Sequence, residues 1–229
     1  MIAPPSVLTL GLLLCWGTVV GLDLASVPQG LLARPLVAAS VAGWFLGDVE
    51  AGLRVGALLE LFALDVLPVG ASRYPEYGPA SIGAVLLANA LPAPAGMGVA
   101  ALLGLGLALF AGWTLDWLRH ANARHVHRLA DALHTGSPAV IRRLQYAGLG
   151  RDTLRSLGVT TLAMLSALLI AGWWGPSTPL PPQLTPVMVG VGAAAALTGA
   201  LRTAGTGRRL AWLGVGVAAG LALVFTVAA

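Results

Sequence analysis

The stretch that decides the reading is Arg54-Val55-Gly56-Ala57-Leu58-Leu59-Glu60-Leu61-Phe62-Ala63-Leu64-Asp65-Val66-Leu67-Pro68-Val69-Gly70. It is an apolar segment of membrane character with a carboxylate, Glu60, at its centre and a second, Asp65, five residues on. A charge at the middle of a bilayer costs about 2.5–3.5 kcal/mol on insertion scales, so such residues face a partner or a cavity. Five residues of α-helix turn the chain about 140° past a full turn, so Glu60 and Asp65 do not share a face of one continuous helix. Pro68 and Gly70 break regular structure just beyond them. An unwound segment at membrane depth frees backbone groups to hold a polar ligand. The residues leave two readings open for Glu60: contact with a ligand, or an interhelical pair with Arg34 or Arg73. For Asp65 the alternatives are the same.

Outward from this run, the whole chain has the same character. Of its 229 residues 57% are hydrophobic and 10% charged, against about a quarter charged in soluble domains. We therefore expect an all-α polytopic integral membrane bundle with broken or re-entrant helices, forming a single membrane-embedded domain over residues 1–229. Apolar stretches fall at about 6–28, 35–47, 51–70, 79–91, 95–118, 156–175, 184–201 and 210–228. At roughly 20 residues per span the chain holds about six to eight of them. The stretches at 35–47 and 79–91 are too short to cross a core of about 30 Å as straight helices. They are expected to be re-entrant or broken, or else to be completed by neighbouring loop residues.

The long polar segment is 119–155, which carries Arg119, Arg124, Arg128, Arg142, Arg143, Arg151 and Arg155, seven of the thirteen arginines in a chain without lysine. The positive-inside rule places it in the cytoplasm as a basic connecting segment. Two spans later Arg202, Arg208 and Arg209 return to the same side, so the C-terminus is expected outside. Membrane topology accounts for the net charge of +4 without a nucleic-acid partner. His120, His125, His127 and His134 all lie in this segment, without metal-site spacing, and read as part of a solvated or interfacial amphipathic helix. Asp116, Asp131 and Asp152 read as helix-end or surface charges. Cys15, the single cysteine, excludes an internal disulfide. No nucleotide loop, dinucleotide fingerprint or nucleophile elbow occurs, so neither catalytic residues, a metal nor a cofactor are expected.

Glycines recur at four-residue spacing, as Gly17/Gly21, Gly43/Gly47 and Gly52/Gly56, which lets helix backbones approach closely in lipid. The segment Ser72-Arg73-Tyr74-Pro75-Glu76-Tyr77-Gly78-Pro79 reads as a non-helical loop folded towards the interior, with Glu76 either in a ligand site or a solvated loop charge.

Taken together, Arg34-Pro35-Leu36-Val37, Gly43, Leu46-Gly47-Asp48, Gly52, Gly56, Leu59-Glu60-Leu61, Gly70-Ala71 and Pro75-Glu76 resemble a known pattern. The chain is similar to the IIC membrane subunit of the mannose/fructose/sorbose family of bacterial sugar phosphotransferase systems. The dense match covers about 50 residues, with the hydropathy outline agreeing over the rest. The resemblance implies a multi-pass protein of the bacterial inner membrane that moves a hexose-type sugar by alternating access. It implies a membrane IID partner, soluble IIA and IIB phosphocarriers, a homo-oligomer of the IIC–IID unit, and phosphorylation of the sugar by IIB, not by this chain. On it, Glu60, Asp65, Pro68, Gly70, Arg73 and Glu76 are the candidate sugar-site residues. Asp65 stands where members carry glycine, and Arg73, Tyr74 and Tyr77 where they carry small residues. These departures keep a second reading in view, a diverged membrane scaffold or sensor that does not transport.

Overall fold

A computed structural model describes residues 5–66, 72–134, 136–174 and 180–204, with 211, 214–216 and 218. Pro68 and Gly70 lie outside the described residues, as does most of the expected last span at 210–228. The elements are α1 (Val7–Asp23), α2 (Pro35–Leu46), α3 (Val49–Ala63), α4 (Tyr77–Ala90), α5 (Ala95–Arg128), α6 (Ala130–His134), α7 (Pro138–Trp173) and α8 (Leu184–Ala204). Among the described residues there is no strand. The helices α5, α7 and α8 are long and apolar enough to cross a membrane.

The short stretches remain short. Helix α2 has 12 residues and α4 has 14, or about 18 and 21 Å at 1.5 Å per residue. Helices α2 and α3 form a tight antiparallel hairpin. Its turn is Gly47, whose φ of 76° is the left-handed conformation that glycine adopts without strain. Asp48 then caps α3, its Oδ1 accepting the Ala51 N–H at 2.9 Å. Behind the turn the two backbones touch: a Cβ added to Gly43 would lie 2.8 Å from Gly52 Cα and 2.6 Å from Asp48 O. The glycine spacing thus splits into two jobs, with Gly43 and Gly52 giving close approach and Gly47 giving the turn.

Helix α4 is the axis of the bundle. It packs against α1, α2, α3, α5 and α7, and Ala80, Ile82, Ala84, Val85 and Leu87 have no exposed surface. Helix α1 runs antiparallel to α7, with Gly17 against Thr160 and Gly21 against Ser156. Ser156 Oγ donates to Thr18 O at 2.9 Å, and Trp16 Nε1 donates to Ala38 O at 3.0 Å, joining α1 to α2. Helices α5 and α7 carry the basic segment as continuations of their own helices, to Arg128 and from Pro138, joined through the short α6.

One sequence expectation is corrected here. Asp152 is not a surface charge: its residue is 0% exposed. The face of α7 formed by Asp152, Ser156, Val159, Thr160 and Ala163 turns into the bundle, one residue every three or four. A carboxylate on that face is enclosed by α1 and the loop after it.

Candidate functional site

At the end of the bundle nearer the basic segment, four chain ends converge: the C-terminus of α1, the N-terminus of α2, the C-terminus of α3 and the extended segment leading into α4. Buried charges organise this meeting point.

Asp23, the last residue of α1, is 3% exposed. Its two carboxylate oxygens accept from the backbone N–H groups of Gly30, at 2.6 Å, and Ala33, at 3.0 Å. This clamp folds the 24–34 loop back over the helix end and holds Gln29 and Leu31 at positive φ, 59° and 65°. Left-handed conformations at such residues persist only where the surroundings impose them.

The chain then enters α2 through Arg34-Pro35. Glu60, from the last turns of α3, receives the Arg34 guanidinium, and its Oε2 accepts the Leu36 N–H at 3.1 Å. The carboxylate therefore neutralises a cation and satisfies one of the unpaired amides of the first turn of α2, where the helix dipole also favours negative charge. The pair is not sealed: the Arg34 and Glu60 side chains keep 39% and 18% of their surface.

The segment 72–76 is extended and laid along α5. Arg119 donates to Ser72 O at 3.1 Å and to the Tyr74 hydroxyl, and its guanidinium lies 4.8 Å from the Tyr74 ring centroid. Gly112 makes room for this strand-like stretch, since a Cβ there would lie 2.1 Å from Tyr74 O. The Glu76 N–H donates to Ala108 O at 2.9 Å. The Glu76 side chain is 0% exposed and takes a bidentate contact from Arg155, Nη1 to Oε2 at 2.5 Å and Nη2 to Oε1 at 3.0 Å. Arg155 Nε reaches Asp152 Oδ1 at 3.0 Å. The guanidinium also donates to Thr114 Oγ1 and Gly21 O, both at 3.3 Å. The Ser26 hydroxyl donates to Asp152 Oδ2. One buried arginine thus joins α1, the 72–76 segment, α5 and α7, and Asp152 ties the 24–34 loop to it.

The four converging chain ends and the 24–34 loop line a cavity of about 370 Å³, within the range of small-molecule sites. Asp23, Gln29, Arg34, Tyr74 and Tyr77 line it, with apolar surface from residues such as Ala63 and Val66. Hydrogen-bonding groups of both kinds beside aromatic rings suit a compact polyhydroxylated molecule.

The candidate residues named from sequence are distributed unevenly. Glu60 and Glu76 come to this meeting point, each held by an arginine. Asp65 faces away to α8, where Arg202 Nη1 lies 3.3 Å from its Oδ1 without hydrogen-bond alignment. Arg73 is exposed. Reading the sequence did not single out Asp23, and it left Arg155 among the solvated arginines. The available signal was the small-and-polar face of α7 continuing below its apolar stretch through Ser156 to Asp152.

The profile of one protein family, the PTS system sorbose-specific IIC component, matches residues 7–172. The fructose permease IIC component of Bacillus subtilis is 28% identical over 138 residues, covering 60% of this chain and 50% of that protein. The sorbose-specific EIIC component of Klebsiella pneumoniae is 33% identical over 116 residues, covering 47% of this chain and 44% of that one. The mannose-specific EIIC component of Escherichia coli K12 is 36% identical over 75 residues, 33% of this chain and 28% of its own. The chain spans half or less of the length of these relatives in the matched regions. A solved structure described as a membrane protein shares the fold at a TM-score of 0.72, covering 97% of this chain and 93% of that one at 22% identity. A cryo-EM structure of the mannose transporter ManYZ with microcin E492 matches at a TM-score of 0.57, with the same coverage and identity.

Proposed function

Because the chain belongs to the sorbose-specific IIC family of the phosphotransferase system, we propose that it is the sugar-translocating subunit of such a system. In this reading it moves a hexose-type sugar by alternating access through a bacterial inner membrane. The basic segment 119–155 faces the cytoplasm. A membrane IID subunit completes the permease as an oligomer of IIC–IID units, and soluble IIA and IIB carriers deliver the phosphoryl group. IIB phosphorylates the sugar, and this chain contributes no catalytic residue.

The observation that carries the reading is the 370 Å³ cavity at the convergence of helix ends. Non-helical backbone at membrane depth is tolerated where it lines a cavity, and transporters use such places to bind solute. Arg34 lines this cavity, and its pair with Glu60 behind it is polar, partly open and set on the first turn of a short helix. A sugar hydroxyl pair can insert between such a carboxylate and guanidinium, donating to the carboxylate and accepting from the guanidinium. Arg73, Pro68 and Gly70 remain candidates around the same ligand, with Glu76 acting through the geometry of the 72–76 segment, whereas Asp65, turned to Arg202 of α8, is a candidate only at a distance from this cavity.

A second reading is supported by the fact that Glu60, Asp65 and Glu76 each face an arginine. Such pairing also suits a membrane scaffold or sensor that does not transport. Purification from the native membrane separates the two. Recovery of a IID-like subunit, with sugar uptake that Glu60→Gln lowers about tenfold or more, is expected for the permease. Repeated recovery of the chain alone, with no uptake by the parent, overturns that reading in favour of the scaffold.

A further inference from the structure

The polar side chains lining the cavity of about 370 Å³ differ in what they already hold. Asp23 has both carboxylate oxygens on backbone amides, those of Gly30 and Ala33. The Tyr74 hydroxyl accepts from Arg119, and Arg34 is paired with Glu60. Two others in the lining have no such engagement. Tyr77, the first residue of α4, has its ring packed in the main core and is 7% exposed. Among the described residues no group hydrogen-bonds its hydroxyl, and that oxygen is not one of the sealed polar atoms. Tyrosine hydroxyls in buried settings ordinarily find a partner. Here the ring is enclosed while the tip opens on the cavity.

Gln29 is the second. It is exposed in the same lining, and among the described residues nothing hydrogen-bonds its side-chain amide. Its φ of 59° lies in the left-handed region, which a residue with a side chain rarely adopts. The Asp23 carboxylate imposes that turn through the N–H of the next residue, Gly30. Backbone strain kept in a loop that lines a cavity points to recognition, because the fold holds the residue there against its own preference.

We infer that Gln29 and Tyr77 read the hydroxyl groups of the solute in this cavity. An amide and a phenol each donate and accept, as a sugar hydroxyl does, so either can pair with it in either sense. Asp23 and Tyr74 are spent on the fold, which leaves direct recognition to these two beside the Arg34–Glu60 pair. They belong to different elements, and a solute held by both ties the 24–34 loop to the start of α4. The class of ligand rests on the permease reading; the availability of the two groups does not.

The test uses the full chain purified from its native membrane with the subunits that accompany it. Binding of fructose, sorbose, mannose and glucose is measured by calorimetry, and uptake of the same sugars is measured in vesicles. Tyr77→Phe removes only the hydroxyl, and Gln29→Gly removes the amide while suiting the backbone at that position. Each is expected to weaken binding of at least one sugar about twofold to tenfold, the effect of one neutral hydrogen bond. The melting temperature should be no lower than the parent's. Monodeoxy derivatives of that sugar locate the contact, since one of them should bind the parent and Tyr77→Phe equally well. A loss in Tyr77→Phe that is the same for every derivative is an effect of shape and overturns the contact. Parent-like affinity in both variants overturns the assignment, and uptake by the parent then leaves the permease reading standing. Weakened binding in the variants without uptake by the parent upholds the assignment and defeats the permease reading. A parent that neither binds nor takes up any of the four sugars defeats both.

Discussion

Two arginine–glutamate pairs anchor the same end of this bundle, and they differ in burial. Around Arg155 and Glu76 the side chains retain 5% and 0% of their surface, and Asp152 retains 1%. Around Arg34 and Glu60 they retain 39% and 18%. In a sealed site every lone pair and N–H must find a partner, and Arg155 accordingly has contacts on four separate elements. In a half-open site solvent screens the charges and the pair can exchange partners. The first pair fixes where the 72–76 segment lies; the second keeps surface open, and under the proposed function it trades its internal contact for a ligand. On the function proposed above, the difference gives the structural role to one and the recognition role to the other, although both are Arg–Glu contacts between distant parts of the chain.

The comparison breaks first at Arg155. Arg155→Met leaves two carboxylates buried without their cation, and removing one partner of a buried pair costs about 3–5 kcal/mol. The expected outcome is loss of the folded, monodisperse protein in detergent, read by size-exclusion chromatography and thermal melting. A variant that melts like the parent would show that the network is not structural. Gly112→Ala tests the same region from the backbone side. Its Cβ would meet Tyr74 O, and overpacking of this kind costs about 1–3 kcal/mol. A lowered melting temperature is expected, with loosened protection of 72–76 in hydrogen exchange.

Glu60→Gln sharpens the other half. A partly exposed pair contributes about 1 kcal/mol or less, so the melting temperature should shift little. A charge-assisted contact to a sugar hydroxyl contributes about 1.5–3 kcal/mol, so sugar binding should fall about tenfold or more by calorimetry or uptake. A large stability loss with unchanged binding would reverse the two assignments. The smallest effect is expected at Asp65 and Arg202, whose contact has side chains 29% and 63% exposed. Arg202→Gln should leave the melting temperature of the purified protein within error, as surface pairs generally do.

Much of this architecture could be read from the chain itself. The apolar stretches at 35–47 and 79–91 are too short for straight spans, and they form α2 and α4 of nearly the expected extent. The Gly43 and Gly52 contact follows the small-residue spacing. Glu60 shows in the sequence because a carboxylate amid leucines is conspicuous, and Arg34 was one of its two foreseen partners. Asp152 and Arg155 do not show in this way. They stand at the end of a basic run, and hydropathy averages them with that run. Only the inward face of α7, set by packing against α1 and α5, separates them from their neighbours. Asp23 is hidden for another reason: its partners are backbone amides of the following loop, and no side-chain pattern announces them. The end of α3 is also not marked by its proline. The helix stops at Ala63, ahead of Asp65 and Pro68.

The contact between Gly43 and Gly52 makes the hairpin stiff, which under the proposed function bears on how it would meet a solute. With backbone against backbone, and a Cβ at Gly52 only 2.5 Å from Ala39 O, α2 and α3 have no soft layer of side chains between them to rearrange. The conformational entropy of bringing these two helices together is lost when the protein folds. Glu60 is thereby held on an already stiff lever, so a ligand bound there, as the proposed function has it, would find little further disorder to remove.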